Sequence, residues 1–352
     1  MLLTLWRSAS MEQLRDRELV YAGPGYAQVR RGHGLKHPLP SSSHRLALCA
    51  ATVMAMLALE AIASASEFGV STYRPGLMDL FAGYLAPPGT TLIKSYFLFQ
   101  DASAKFITQN GQIEADAHTT TYTAAAFAAH VTTLPVLGSY WGFGTIMQVR
   151  IAAQSLRVGP VGVSVPSQTS ALGGPGDLIV LPVMLNWNWG QFHLLTAIAF
   201  YAPTGSYDRQ RIINIGTNRW AVEPDVGLTW MDEEHGREAS VFVGYTINRE
   251  NTASDYSSGD EFHADFVLAQ HLPKGFVLGM AGYALQQTTA DSGPGAVFGP
   301  FRGRVFGLGP LIGKTVDLWK LPVNFTVKYD IEFAAQNRST GNELWLTGGF
   351  RF

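Results

Sequence analysis

Charged residues are scarce in this sequence of 352 residues. Only 15% are Asp, Glu, Lys or Arg, whereas soluble domains average about 25%. The formal net charge is −2, and no basic run or arginine stripe occurs, so we expect no nucleic-acid partner. Few charges combined with 37 glycines and many aromatic residues are typical of a β-rich chain whose outer surface does not face water.

The sequence also lacks a hydrophobic run long enough for a transmembrane helix. The longest apolar run, 46–59, follows Arg45 and is shorter than the roughly 20 residues that such a helix needs. The small residues at 63 and 65 then satisfy the small-x-small rule of signal peptidase. This pattern predicts a secretory signal peptide that is cleaved before Ser66.

Cysteine is almost absent. The only one, Cys49, falls inside the predicted signal, and the residue before it, Leu48, is too large for a lipoprotein box. The exported chain therefore has no disulfide to stabilise it. We interpret residues 1–65 as a signal peptide preceded by an extension from a start codon assigned too far upstream, with translation beginning near Val29. An exported chain of this kind is a periplasmic protein, a secreted protein or an outer-membrane barrel.

Period-two alternation is the dominant pattern after Ser66. In the stretch 324–333, aromatic and aliphatic residues occupy every second position, and Thr, Lys, Asp and Glu occupy most of the others. Such alternation indicates β-strands with one apolar and one polar face. Twelve strands are predicted: 91–104, 115–130, 141–151, 177–188, 191–201, 220–230, 241–247, 262–268, 276–286, 304–315, 324–333 and 342–352.

The connections between these strands are sorted by length. Those after even-numbered strands are short, and those after odd-numbered strands are mostly long, namely 105–114, 153–176, 202–219, 249–260 and 287–303. Bacterial outer-membrane barrels place short turns at one end and long loops at the other. The prediction is an all-β fold, a transmembrane antiparallel up-and-down β-barrel of about 12 strands formed by residues 91–352, in the outer membrane of a Gram-negative bacterium.

Aromatic residues support this prediction. They occur where strands are expected to cross the membrane interface, as an aromatic girdle requires: Trp141, Trp220, Trp230, Phe350 and Phe352. The terminal Phe352 follows alternating apolar positions and resembles the signal that the barrel-assembly machinery reads. Outer-membrane lipid and lipopolysaccharide are the other partners expected of such a surface.

Several short stretches carry a family resemblance. They are GPGDLIVLPVMLNWNWGQFH (174–193), YAPTGSYD (201–208), NIGTNRWAVEPDVGLTW (214–230), NRENTASDYSSGDEFHAD (248–265) and GYALQQTTADSG (282–293). In order and spacing they resemble the outer-membrane protein family of the meta-pathway of phenol degradation, including its SphA-like transporters. The resemblance covers roughly residues 67–352 and implies a small β-barrel channel for apolar or aromatic compounds.

Ionisable residues on the polar faces of the strands are the candidate functional residues, because charges at membrane depth must face water or partners. They fill a narrow lumen as a salt-bridged network or they confer selectivity on a passage. By parity they are Lys94, Arg150, Glu223, Asp225, His263, Asp265, Lys328, Asp330 and Glu332. An open track through the lumen would run along Gly142, Gly144, Gly227, Gly279, Gly307 and Gly309.

Residues 66–90 precede the first strand and contain several prolines. They are interpreted either as a lumen plug or as a periplasmic tail with no role in gating. Two loop stretches, 203–208 and 255–261, contain carboxylates that are able to bind a divalent cation or lipopolysaccharide, although their Pro, Gly, Asp and Ser residues are turn formers first.

Catalytic motifs are missing from the sequence. No HExxH, GxSxG or CxxC occurs, and the glycine-rich stretches precede no helical pattern. We therefore expect no enzyme, no cofactor and no metal, and a lipid-modifying enzyme is the least favoured reading. The favoured function is passive uptake of hydrophobic or aromatic small molecules. The alternative is a structural or surface-interaction barrel with a closed lumen.

Overall fold

The computed structural model describes residues 70–108, 110–318 and 320–352. The predicted signal peptide and extension, residues 1–65, lie outside the described residues, as do residues 66–69. Within the described part of the chain, no helix is long and apolar enough to cross a membrane. Apart from one 3-10 turn at Pro273–Gly275, regular structure there is entirely β.

Thirteen strands make up the described fold. They are β1 (Thr91–Ile107), β2 (Ile113–Val136), β3 (Ser139–Pro160), β4 (Gln168–Pro175), β5 (Leu178–Trp189), β6 (Phe192–Ala202), β7 (Ala221–Asp232), β8 (Arg237–Asn248), β9 (Glu261–Leu272), β10 (Phe276–Gln287), β11 (Arg304–Leu318), β12 (Leu321–Gln336) and β13 (Thr340–Arg351).

Twelve of these strands close into an antiparallel barrel. Each pairs with its neighbours in sequence, β1 also pairs with β13, and β3 reaches past β4 to pair with β5. Closure leaves no unpaired edge in the ring, which a bilayer demands. The predicted twelve-stranded barrel is confirmed. The short β4 pairs with β3 alone, from Val149↔Pro175 to Leu156↔Gln168, so the expectation that 153–176 is a loop was wrong.

The barrel is apolar outside and polar inside. On β12, Phe325, Val327, Tyr329, Ile331 and Phe333 are each 41–53% exposed, whereas the alternate residues from Thr326 to Glu332 are buried. Since side chains alternate between the two faces of a strand, this period-two sequence places the apolar residues outward and the polar residues inward. An exposed apolar band around a polar interior is the arrangement of a membrane barrel.

The two ends of the barrel differ. At the short-turn end, consecutive strands are joined by 137–138, 190–191, 233–236, 273–275 and 319–320. At the long-loop end, 203–220, 249–260 and 288–303 are the long connections, so the predicted sorting is confirmed. The connection between β1 and β2 is shorter than the predicted 105–114, because the hairpin pairing continues to Ile107↔Glu114.

Strands β2 and β3 are also much longer than the rest. They have 24 and 22 residues, about twice the 9–11 residues that a tilted strand needs to cross a bilayer. Their extra length projects at the long-loop end. There Phe298 of the loop 288–303 packs against Phe106, Leu156 and Val158 on the inner face, so this loop folds against the inner face at that end of the barrel.

Candidate functional site

The interior of the barrel holds the N-terminal segment, which we define as residues 70–90. Its backbone and side chains bond to inward-facing residues of β1, β5, β6, β7, β8, β9, β12 and β13. The segment therefore lies inside the ring of strands.

Tyr73 anchors the segment to β9. Its hydroxyl donates to Asp265 Oδ2 at 2.6 Å, and its ring stacks on His263 with centroids 3.4 Å apart. The backbone N–H of Met78 donates to the same Asp265 oxygen at 3.0 Å. One buried carboxyl group thus holds two points of the segment.

Two lysines bind the segment from β1 and β12. Lys94 Nζ lies 2.9 Å from Asp79 Oδ1, and Thr326 Oγ1 donates to the other oxygen of Asp79 at 3.1 Å. Lys328 Nζ donates to the carbonyl of Gly76 and pairs with Asp330 at 3.6 Å. Because a buried charge is costly unless it is paired, these contacts make the segment part of the folded interior.

The middle of the segment approaches β7 and β8 closely. Phe81 N–H donates to Glu238 Oε1 at 2.6 Å, and Gly83 N–H donates to Thr229 Oγ1 at 2.9 Å. A Cβ on Gly227 would lie only 2.0 Å from the carbonyl oxygen of Ala82. Glycine at 227 is therefore what lets the backbone of the segment touch the wall.

Tyr84 fixes the far end of the segment. His193 Nδ1 lies 2.5 Å from Asn188 Oδ1, an oxygen that only accepts, so Nδ1 carries the proton. His193 Nε2 then accepts from the Tyr84 hydroxyl at 2.7 Å. Burial, reinforced by Glu233 and Glu238, raises the pKa of Tyr84 to about 12, which keeps this donor protonated at neutral pH.

All nine predicted lumen residues face inward. Lys94, His263, Asp265 and Lys328 contact the segment directly, as described above. Arg150 donates to the Ile215 carbonyl at 3.5 Å in the loop 203–220. The other lumen residues have their partners among the strands themselves. Glu223 accepts a hydrogen bond from Tyr201 at 2.7 Å and lies 3.5 Å from His263, and Asp225 lies beside Glu223 and His263. Glu332 accepts a hydrogen bond from Tyr283 at 2.9 Å.

Sequence reasoning missed several interior carboxylates. Asp79 lies in the segment, where no alternation assigns a face. Glu238 falls between the predicted strands 220–230 and 241–247, whereas β8 begins at Arg237. Glu343, which pairs with Arg74 at 3.0 Å, was detectable: outward Leu344 and Leu346 assign it to the lumen by parity.

An apolar cavity remains beside the segment. Its volume is about 550 Å³. Much of its apolar lining comes from β3, β5 and β6, which we call the apolar wall, and Glu223, Asp225 and Phe242 of the facing strands also line it. Leu85 of the segment closes one side of it, and the rim at the short-turn end includes Lys314 and Arg351. The apolar wall contributes Ile146, Ile179, Leu181, Met184, Leu195 and Ala197.

A different set of strands carries the charge. Strands β7, β8, β9, β12 and β13, which we call the charged wall, present Glu223, Asp225, Glu238, His263, Asp265, Lys328, Asp330, Glu332 and Glu343 to the interior, all buried. The segment lies between the two walls and bonds mostly to the charged wall, with further hydrogen bonds to Lys94 of β1, Asn186 of β5 and His193 of β6.

The glycine track expected from the sequence is partly covered. Gly227 is in contact with Ala82, and a Cβ on Gly142 would meet Leu85 at 3.1 Å. A Cβ on Gly307 would lie 2.3 Å from the ring of Tyr283. The segment and neighbouring side chains thus occupy the space that these glycines leave.

The predicted girdle residues lie at both ends of the barrel. Trp141, Trp230, Phe350 and Phe352 are at the short-turn end, and Trp220 immediately precedes β7 at the long-loop end. Trp220 is 57% and Phe352 63% exposed. Their role at a membrane interface stays a prediction.

The family model described as "Putative MetA-pathway of phenol degradation" matches residues 101–348. The chain belongs to this family. The resemblance inferred from the sequence is thereby confirmed. The family match begins within β1, so the N-terminal segment precedes the matched residues.

The comparison with solved structures supports the same fold through one channel structure. The COG4313 outer membrane channel from Pseudomonas putida F1 is 16% identical with a TM-score of 0.58, over 78% of this chain and 100% of that chain. A FadL homologue from Pseudomonas aeruginosa matches at 7% identity and a TM-score of 0.35, over 74% of this chain and 88% of that one. No curated protein matches the chain significantly.

Proposed function

We propose that the protein is an outer-membrane channel for passive uptake of hydrophobic or aromatic small molecules, plugged by the N-terminal segment. The observation that carries this proposal is the apolar cavity of about 550 Å³ inside the barrel. Its volume falls in the range of about 300–1,000 Å³ that is usual for small-molecule sites. The family and the fold support the coarser part of the proposal, a channel.

The direction of transport follows from the two ends. Short turns face the periplasm in barrels of this type, so the long loops would meet solutes first. The loops 203–220, 249–260 and 288–303 would form the first surface that a solute meets at that end. The cavity, which reaches the short-turn rim, would then receive it on the periplasmic side of the segment.

A matched pair of substitutions tests the proposal. Ala197→Phe adds a ring to the cavity lining, whereas Ala264→Phe adds the same ring to the outer face between Phe262 and Phe266. Cells expressing equal surface amounts of each variant would be compared for uptake of an apolar fluorescent naphthylamine. We expect A197F to slow uptake several-fold and A264F to leave it unchanged.

The alternative is a structural barrel with a closed lumen. The observation in its favour is the charged wall, whose buried groups are engaged by the segment and by one another. This alternative predicts that cells with and without the protein take up the probe equally, whichever variant is present. That result would refute the uptake proposal.

A further inference from the structure

Three neighbouring strands of the charged wall align Asp225, Gly244 and His263 in one row. The register pairs Asp225 with Gly244 and Gly244 with His263. A Cβ on Gly244 would lie 2.5 Å from Asp225 Oδ1 and 2.2 Å from His263 Nε2. Asp225 Oδ1 and His263 Nε2 thus both point at the space beside Gly244, which the side chain of a larger residue would fill.

Glu223 completes the cluster from the same face of β7. One ligand atom from each of Glu223, Asp225 and His263 lies within 4.8 Å of the others. The three residues are 1%, 3% and 0% exposed. Two carboxylates and an imidazole are therefore packed together away from water, where like charges repel each other strongly.

The hydrogen-bonding capacity of the cluster is not satisfied by the protein. Asp225 Oδ1 and both ring nitrogens of His263 have no hydrogen-bond partner. Glu223 Oε1 lies 3.5 Å from His263 Nε2, which is longer than an ordinary hydrogen bond. Leaving such buried groups unpartnered costs free energy, and a bound cation would remove that cost.

We propose that Glu223, Asp225 and His263 form a site for a divalent transition-metal ion inside the barrel. One imidazole nitrogen with two carboxylate oxygens is a donor set that suits Zn²⁺ and its neighbours in the first transition row. Tyr201 and Thr246 donate to the two oxygens of Glu223, which orients the carboxylate as outer partners of metal ligands do. The ion would also fix the ring of His263 on which Tyr73 of the segment stacks.

The test uses untagged protein purified from membranes in detergent, stripped with a chelator, re-exposed to Zn²⁺ and washed. Metal content is read by plasma mass spectrometry, and the unfolding temperature is measured with and without Zn²⁺. We expect about one Zn²⁺ per chain and a higher unfolding temperature with the ion, since a ligand that binds only the folded state stabilises it.

Variants locate the site. Asp225→Asn and His263→Gln should each lose the bound Zn²⁺ and the Zn²⁺-dependent rise in unfolding temperature. His235→Gln is the matched control, because His235 forms a His–Asp pair with Asp232 at 2.9 Å in an exposed turn, and it should keep both. D225N removes a buried charge at constant size, so it should fold even if H263Q does not.

The proposal would be overturned by clearly less than one Zn²⁺ per chain in the unmodified protein, or by full Zn²⁺ binding by folded D225N. Loss of Zn²⁺ in H235Q alone would place the ion at the turn and refute the site equally. None of these readouts depends on solute uptake, so the metal site and the channel function are tested separately.

Discussion

The apolar wall and the charged wall of the same lumen are built for different tasks. The charged wall binds the N-terminal segment through Asp265, Glu238 and Lys328, bonds that are directional and fix the backbone of the segment. The apolar wall has few such bonds to offer and retains the cavity. One side of the lumen thus holds the N-terminal segment in place, while the other side borders an apolar cavity.

Breaking the charged wall should have the largest effect on stability. Lys328→Met removes the bond to Gly76 and leaves Asp330 buried without its partner, which should lower the free energy of unfolding by about 3–5 kcal/mol. Guanidinium unfolding in detergent, followed by tryptophan fluorescence, measures the loss. Lys314→Met at the exposed rim is the control, and an equal loss there would contradict the assignment.

Adding a methyl group where β7 contacts the segment should have the second-largest effect on stability. Gly227→Ala places a Cβ against the Ala82 carbonyl, and since neither backbone can move easily we expect a loss of about 3 kcal/mol. The displaced segment should also become cleavable by trypsin at Arg74. Gly348→Ala, whose Cβ would meet only Phe325 at 3.3 Å, should leave Arg74 protected; cleavage in both variants would mean that the segment is loose already.

Enlarging the cavity should cost less and change transport more. Leu181→Ala truncates a buried residue of the apolar wall that already borders empty space, so we expect a loss of about 2 kcal/mol, the low end for such changes. Uptake of bulkier aromatic probes should rise. Leu228→Ala on the outer face, where Leu228 is 39% exposed, should not change uptake. An equal rise in uptake in this variant would show that the effect does not depend on the cavity.

The smallest effect is expected at the end of the segment. Tyr84→Phe removes the hydrogen bond to His193 and should cost about 1 kcal/mol at pH 7. The pKa of Tyr84 in the folded protein is raised from 10.0 to about 12. The unmodified protein should therefore have the larger free energy of unfolding below pH 10, and this difference should be lost as the pH rises toward 12. Unfolding titrations of both proteins across this range measure it, and a constant difference would show that the hydroxyl is not the cause.

Alternation in the sequence assigned each candidate lumen residue to the polar face of its strand. A strand in a barrel has only two faces, and apolar residues on one of them leave the other to the polar residues. Lys328 and Asp330 alternate with Val327 and Tyr329 in the sequence, and their burial follows that order.

Contacts between distant parts of the chain could not be predicted in this way. Phe81 and Glu238 are 157 residues apart, and the segment has no periodicity that selects its neighbours. Strand β4 was missed because its sequence, QTSALGGP, has the Gly and Pro of a loop and pairs only with β3. The row Asp225–Gly244–His263 depends on strand register, which no single strand encodes.

Single-channel conductance tests the central claim that the segment plugs the lumen. The protein would be compared in planar bilayers with a variant that lacks residues 70–84, after both have been shown to be folded by their heat-modifiable migration on gels. We expect the unmodified protein to be closed apart from rare brief openings and the deletion variant to conduct steadily. Steady conductance of the unmodified protein, or silence of the folded deletion variant, would contradict it.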